Sequence, residues 1–152
     1  TDGKAEMSRI GLPQLLQDVV YLHESSGVQL ELPSEDVWVF ADRTRLMRAF
    51  NNLVQNALES SPGRDVEVKV RLTCADGQAT VEVRDNGDGI EEARLERIFE
   101  PKFTTKTHGL GLGLAMVRAI VKGAGGRLDV SSELGTGSAF VVVLPQVDQT
   151  NG

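Results

Sequence analysis

Asn52 and Asn56 stand four residues apart, with Arg48 four residues before them, in a segment whose apolar residues recur at helical spacing. The three side chains therefore line one stripe of a helix. An Asn carbonyl is a neutral, hard oxygen ligand, suited to a Mg²⁺ that keeps several waters and takes its other ligands from phosphates. A solvated helix face would carry the same residues. Arg48 is too long and cationic for a general base, which leaves it near phosphate or on the surface.

Asp85-Asn86-Gly87-Asp88-Gly89-Ile90 follows an alternating apolar run and supplies a carboxylate, then two glycines that let backbone approach a flat ligand. A buried Asp that accepts from an exocyclic amine would select adenine, although turns of this composition are common. A calcium loop is excluded. Glu96 is twelfth counting from Asp85, but Gly87 and Gly89 stand where oxygen ligands are needed and Ile90 where glycine is needed. Gly109-Leu110-Gly111-Leu112-Gly113-Leu114 opens a helical pattern, placing free amides and the positive end of a helix dipole where phosphates could bind. It is not a Walker loop, lacking Gly-Lys-Ser/Thr, and not a dinucleotide fingerprint, since Leu114 replaces the last glycine.

These groups need a scaffold, and 152 residues, 40% hydrophobic and 25% charged, suit one globular domain. The net charge of -6 argues against a nucleic-acid surface. The single cysteine, Cys74, can form no internal disulfide and reads as a strand residue in a reducing, cytoplasmic setting. No apolar run reaches the length of a membrane span, although a parent protein could be anchored in an inner membrane.

Residues 1–11 are polar and unpatterned and are expected to be a tail, the remnant of a linker. Leu12, Leu15, Leu16, Val19 and Val20 predict a helix ending near Gly27, with His23 at its end. Residues 28–32 and 37–40 read as strands paired across Pro33-Ser34, with Trp38 and Tyr21 in the core or at its edge. Asp42 is placed to cap a long helix over residues 43–60. Alternation from Val66 to Leu72 and from Ala79 to Val83 predicts a hairpin turning at Asp76-Gly77. A glycine-rich stretch, 85–113, holds only a short helix near 91–97 and is where a site belongs. A helix over 114–122, a strand pair (127–132 and 138–144) and a tail (146–152) complete the chain. The fold class expected is an α+β two-layer sandwich, a mixed, mostly antiparallel sheet with helices on one face.

In order, Asn52-x-x-x-Asn56-Ala57, Asp85-x-Gly87-x-Gly89, Ile98-Phe99-Glu100-Pro101, Gly109-x-Gly111-x-Gly113-Leu114 and Gly135-Thr136-Gly137-Ser138 resemble five motifs of histidine kinases. These are the N box, first glycine box, F box, second glycine box and final glycine motif. They belong to the wider family of gyrase, chaperone, kinase and mismatch-repair ATPases. The resemblance implies a Bergerat-type fold over residues 12–145 that binds ATP and Mg²⁺. Asn56 looks like the metal ligand, with Asn52 supporting metal and phosphates, and Asp85 looks like the adenine reader with Gly87, Gly89 and Ile90 about the base. Gly109, Leu110, Gly111, Leu112, Gly113 and Leu114 correspond to the phosphate cradle, and Thr136 to the closing wall of the adenine pocket. Phe99, Lys102, Thr104, Thr105 and Lys106 correspond to the lid, where His108 reads as an exposed loop residue.

Within that family, members that hydrolyse ATP or phosphorylate serine place a Glu where Asn52 stands. Water and a serine hydroxyl benefit from a general base, whereas a neutral imidazole, with a reference pKa of about 6.5, already offers a lone pair at pH 7. The resemblance therefore implies transfer of the γ-phosphate to a histidine on a separate helical dimerisation domain, and then a response-regulator receiver domain as partner. The chain by itself is expected to be monomeric. A stand-alone Ser/Thr kinase and a silent nucleotide-binding docking module are the alternatives. Glu59 occupies the place of a Lys that many histidine kinases carry, so Lys106, Lys102 or Arg97 must meet phosphate charge, and Lys106 is the residue assigned that catalytic role.

Overall fold

The computed structural model describes residues 4–100 and 110–148. At its centre β4 (Val68–Ala75) and β5 (Gln78–Asp85) form the expected hairpin, paired from Val68↔Asp85 to Ala75↔Gln78. Val68, Val70, Leu72, Ala79, Val81 and Val83 are buried. Asp76 (φ 55°) and Gly77 (φ 78°) provide the two left-handed residues of a type I′ turn. β7 (Gly137–Pro145) pairs antiparallel with β5, and β6 (Arg127–Glu133) pairs antiparallel with β7. β2 (Gln29–Glu31) runs parallel to β4 at the opposite edge, so the five-stranded sheet is mixed and mostly antiparallel.

Three helices share the core with the buried face of this sheet: α1 (Leu12–Tyr21), α2 (Arg43–Leu58) and α4 (Leu110–Gly123). α3 (Glu92–Leu95) is a single turn. In α2 Leu46, Ala49, Phe50, Leu53, Val54 and Ala57 recur at helical spacing and are buried, which leaves the Asn52 and Asn56 side free of the core. Asp42 caps α2 as expected, its Oδ1 accepting from Arg45 N–H at 3.0 Å. Among the described residues no helix is long and apolar enough to cross a membrane.

Several expectations are corrected. Residues 7–11 are not a tail: β1 (Met7–Gly11) pairs antiparallel with β3 (Trp38–Asp42), and Ile10 is buried. One buried residue among exposed ones is too weak an alternation to reveal a strand whose partner is distant in sequence. The two strands flanking Pro33-Ser34 do not pair, because β3 joins β1 while β2 joins β4, and the intervening turn carries the chain between two sheets. Tyr21 is 71% exposed, since it lies about 200° around the helix from Val19 and so points away from the core. Trp38 is half-buried with its ring over Gly11. The chain also stays docked past Pro145, with Gln146 N–H donating to Gly77 O at 2.9 Å and Val147 N–H to Trp38 O at 2.8 Å.

Asp42 also ties the start of β1 to α2, because its Oδ2 accepts from Glu6 N–H at 2.7 Å. The Glu6 and Arg45 amides hold its carboxyl below the ordinary value. A depressed acid contributes stability above its unfolded pKa, about 3.9, and loses it as pH falls through the folded value. Asp42→Ala is therefore expected to lower the urea midpoint at pH 7, with the gap to the parent protein closing as pH falls below about 4.

Candidate functional site

Asp85 ends the central strand β5, between Val68 of β4 and Ser138 of β7, with its side chain on the buried face at 6% exposure. Its Oδ1 accepts from Gly87 N–H at 2.8 Å and from Ser138 N–H at 3.3 Å, and the Ser60 side chain lies close by, its Oγ–H donating to the Ala57 carbonyl at 2.7 Å. Burial pushes its pKa up, opposed by the hydrogen bonds from the Gly87 and Ser138 amides, by the neighbouring Ser60 hydroxyl and by the nearby Arg84 charge. An ionised carboxylate offers about four acceptor positions, so capacity remains for a donor from outside.

The loop after Asp85 is held on two sides. A Cβ at Gly87 would overlap the Ser60 side chain, so only glycine lets the loop lie against the end of α2. Gly89 adopts φ +80°, and a Cβ there would meet the Glu133 carbonyl group. Asp88 N–H donates to Ser60 O at 3.1 Å, and Gly135 N–H donates to Asp88 O at 2.8 Å. Ile90 N–H donates to Ser132 Oγ at 2.7 Å, and that oxygen lies 2.7 Å from Ser138 Oγ.

Asn52 and Asn56 are half-buried and touch: Asn56 Nδ2 donates to Asn52 Oδ1 at 3.1 Å. The bond turns Asn56 Oδ1 away from its neighbour and leaves it without a donor among the described residues. The first turn of α4 contains Gly111 and Gly113 and begins at Leu110, four residues earlier than the expected helix. A Cβ at Gly113 would lie 2.7 Å from both Asn52 Oδ1 and Nδ2, so this glycine lets the two helices meet at the amide pair. Leu114 is fully buried and anchors that turn. The first turn of α4 and the Asn52–Asn56 amide pair thus lie together.

Other expected residues fall as follows. Ile90 is half-buried against the core, and so is Phe99, whose ring lies 4.8 Å from the Arg118 guanidinium carbon. Thr136 is exposed on the β6–β7 turn, whereas Ser138, two residues later, is buried beside Asp85. His23 is engaged at the helix end, with Nε2 2.6 Å from Asn51 Oδ1. Glu59 accepts from Gln55 Nε2 at 2.6 Å, and Arg97 lies 3.7 Å from Glu100. Lys102, Thr104, Thr105, Lys106, His108 and Gly109 lie outside the described residues. Ser60 and Ser138 escaped the sequence reading. The signal for Ser60 was continuation of the four-residue stripe 52, 56, 60, and for Ser138 its place directly after Gly137 in a glycine motif.

The model of the histidine kinase-, DNA gyrase B- and HSP90-like ATPases matches residues 41–148. The chain belongs to this ATPase family. Signal transduction histidine-protein kinase AtoS of Escherichia coli (strain K12) is 32% identical over 156 residues, covering 97% of this chain and 25% of AtoS. The chain thus spans about a quarter of that relative's length. The catalytic domain of histidine kinase ThkA superposes with a TM-score of 0.81 at 34% identity, covering 93% of this chain and 96% of that one. ThkA in complex with response regulator protein TrrA gives 0.78 at 30%, covering 95% and 43%. Full-length ShkA in complex with AMPPNP gives 0.77 at 27%, covering 95% and 32%. The fold is the α+β Bergerat-type sandwich of histidine kinase catalytic domains.

The raised pKa of Asp85 has a sign that can be measured. The folded protein holds this proton to higher pH than the unfolded chain, so the group's contribution to stability is greatest below about pH 3.9 and declines as pH rises through the folded value. Asp85→Asn removes the titration. Its urea midpoint relative to the parent protein is expected to rise between about pH 4 and pH 7.

Proposed function

We propose that this chain is the ATP-binding catalytic domain of a sensor histidine kinase, which binds ATP with Mg²⁺ and presents the γ-phosphate to a histidine on a separate helical dimerisation domain. The observation that carries the reading is the meeting of Asn52, Asn56 and Gly113, one turn of helix from the buried Asp85–Ser60 contact. Base-reading and metal-holding groups are thereby built on one helix end. The AMPPNP complex of ShkA supports the nucleotide, and the ThkA–TrrA complex supports a response regulator as downstream partner.

The donor set fits a hard divalent cation. Asn56 Oδ1 is a neutral oxygen left free by the bond between the two amides, and Asn52 holds it in orientation. Bound there, Mg²⁺ would neutralise phosphate charge. The protein's own part is positioning: Asp85 accepts from the adenine amine, Gly87 lets the base lie close, and the amides at the start of α4 receive phosphate oxygens. Asn52 stands where a general base would be needed for water or a hydroxyl acceptor, and a neutral imidazole needs none. Lys106, with Lys102, is assigned to the transferring phosphate as a mobile point charge.

Calorimetric titration of AMPPNP with and without Mg²⁺ tests the binding step. Asp85→Asn is expected to weaken binding about 10- to 100-fold in either condition, the scale of a lost hydrogen bond to a charged group. Asn56→Asp and Gly113→Ala are expected to act mainly on the Mg²⁺-dependent part. Failure of the parent chain to bind any adenine nucleotide would overturn the proposal.

Transfer is tested separately with γ-labelled ATP and a histidine-bearing helical dimerisation domain. Acid-labile label is expected on that partner and not on this chain. Strong labelling at His23 would contradict the assignment.

A further inference from the structure

The base-reading loop is fastened to the end of α2 by two side chains outside the motifs, Ser61 and Arg64. Ser61, 6% exposed, donates from Oγ to Asp88 Oδ1 at 2.7 Å. Arg64 donates from Nε to the same Ser61 Oγ at 3.2 Å and from Nη2 to the Asn86 carbonyl at 2.9 Å. Its Nη2 also lies 3.9 Å from Asp88 Oδ1. One planar guanidinium thus spans the residues on either side of Gly87, and the hydroxyl of Ser61 passes the contact on to Asp88. As an ion pair alone the Arg64–Asp88 contact would count for little, with side chains 48% and 65% exposed. The fork geometry makes the difference, because a Lys ammonium is a point donor that cannot hold both the hydroxyl and the carbonyl in a fixed plane.

We propose that Arg64, Ser61 and Asp88 form a clasp that holds the Asp85–Gly89 backbone against α2, making Arg64 and Ser61 positioning residues for adenine recognition. The inference rests on reading Asp85 as the base acceptor. Asp85 already has its carboxylate bonded to the Ser138 amide and its backbone fixed in the sheet. Gly87 and Asp88 are fixed by no strand, and the contacts of Asp88 to the α2 end run through Ser60 O and Ser61 Oγ. Loosening the clasp frees the wall along which a base would lie while leaving the Asn52–Asn56 pair in place. Its effect therefore falls on the base and not on the metal.

The test titrates adenosine, which has no phosphate, and AMPPNP with Mg²⁺ into the parent chain and into Arg64→Ala, Arg64→Lys, Ser61→Ala, Ser61→Thr and Asp88→Asn. Hydrogen exchange at Gly87 and Gly89 is followed without nucleotide. Arg64→Ala and Arg64→Lys are expected to weaken both ligands by the same factor, about three- to tenfold, and to speed exchange at the two glycines. Ser61→Thr, which keeps the hydroxyl, is expected to retain affinity that Ser61→Ala loses. Arg64→Ala combined with Asp88→Asn should be no weaker than the worse single variant, since both break one clasp.

Adenosine affinity within about twofold of the parent in Arg64→Ala, with exchange unchanged, overturns the clasp. So does a loss confined to AMPPNP and repaired by Lys, which would mark Arg64 as a phosphate cation. A parent chain that binds neither ligand defeats the nucleotide-site reading and the recognition role together, and unchanged exchange would then remove the clasp itself. Arg64 and Asp88 are exposed, so their variants fold and report even where Ser61→Ala destabilises the chain.

Discussion

A carboxylate brought inside a protein loses its hydration and must be bonded in return, and Asp85 is brought inside at the end of the central strand. The bonds it receives come from its own loop through Gly87 and from the neighbouring strand through Ser138, while the Ser60 side chain at the end of α2 lies beside it. Satisfying this one group ties the glycine loop to the sheet, and Ser60 brings the end of α2 against both through its carbonyl bond to Asp88 N–H. Desolvation still prevails, since the pKa remains raised.

A second constraint is the distance between α2 and α4. Helices normally keep the spacing their side chains impose, but Gly113 removes a side chain where the two meet, and the polar pair Asn52–Asn56 fills the contact. A neighbouring face of α2 is buried in the core through Phe50, Leu53 and Ala57. One helix therefore carries core packing on one side and the polar Asn52–Asn56 pair on another. The clasp through Ser61 and Arg64 begins three residues beyond Leu58, the last residue of α2, so both halves of the proposed site are attached to one helix.

Long or strongly periodic elements were legible in the chain. The β4–β5 hairpin alternates cleanly and turns on residues that tolerate positive φ, and α2 has both a broad apolar face and an Asp cap. β1 was not legible, because Ile10 alone is buried there and its partner Val39 is brought to it only by the fold. The assumption that neighbouring strands pair misled the reading of β2 and β3, whose partners are distant in sequence. The start of α4 at Leu110 was also missed, since glycines argue against helix locally while packing on α2 sustains it.

The ordered set of motifs determined by itself which residue types converge: amides on one helix face, a carboxylate before two glycines, and a glycine-rich helix start. Spacing along the chain carries that information because each motif is local to one element. Only the tertiary structure decided which groups satisfy those residues. Asp85 meets Ser138 because β5 and β7 are hydrogen-bonded neighbours, and it meets Ser60 because α2 ends above that strand. Asn52 meets Gly113, and Arg64 meets Asn86, across gaps that no local pattern records. Hydrogen bonds to a buried group are chosen by proximity in space, and proximity is set by how the layers pack.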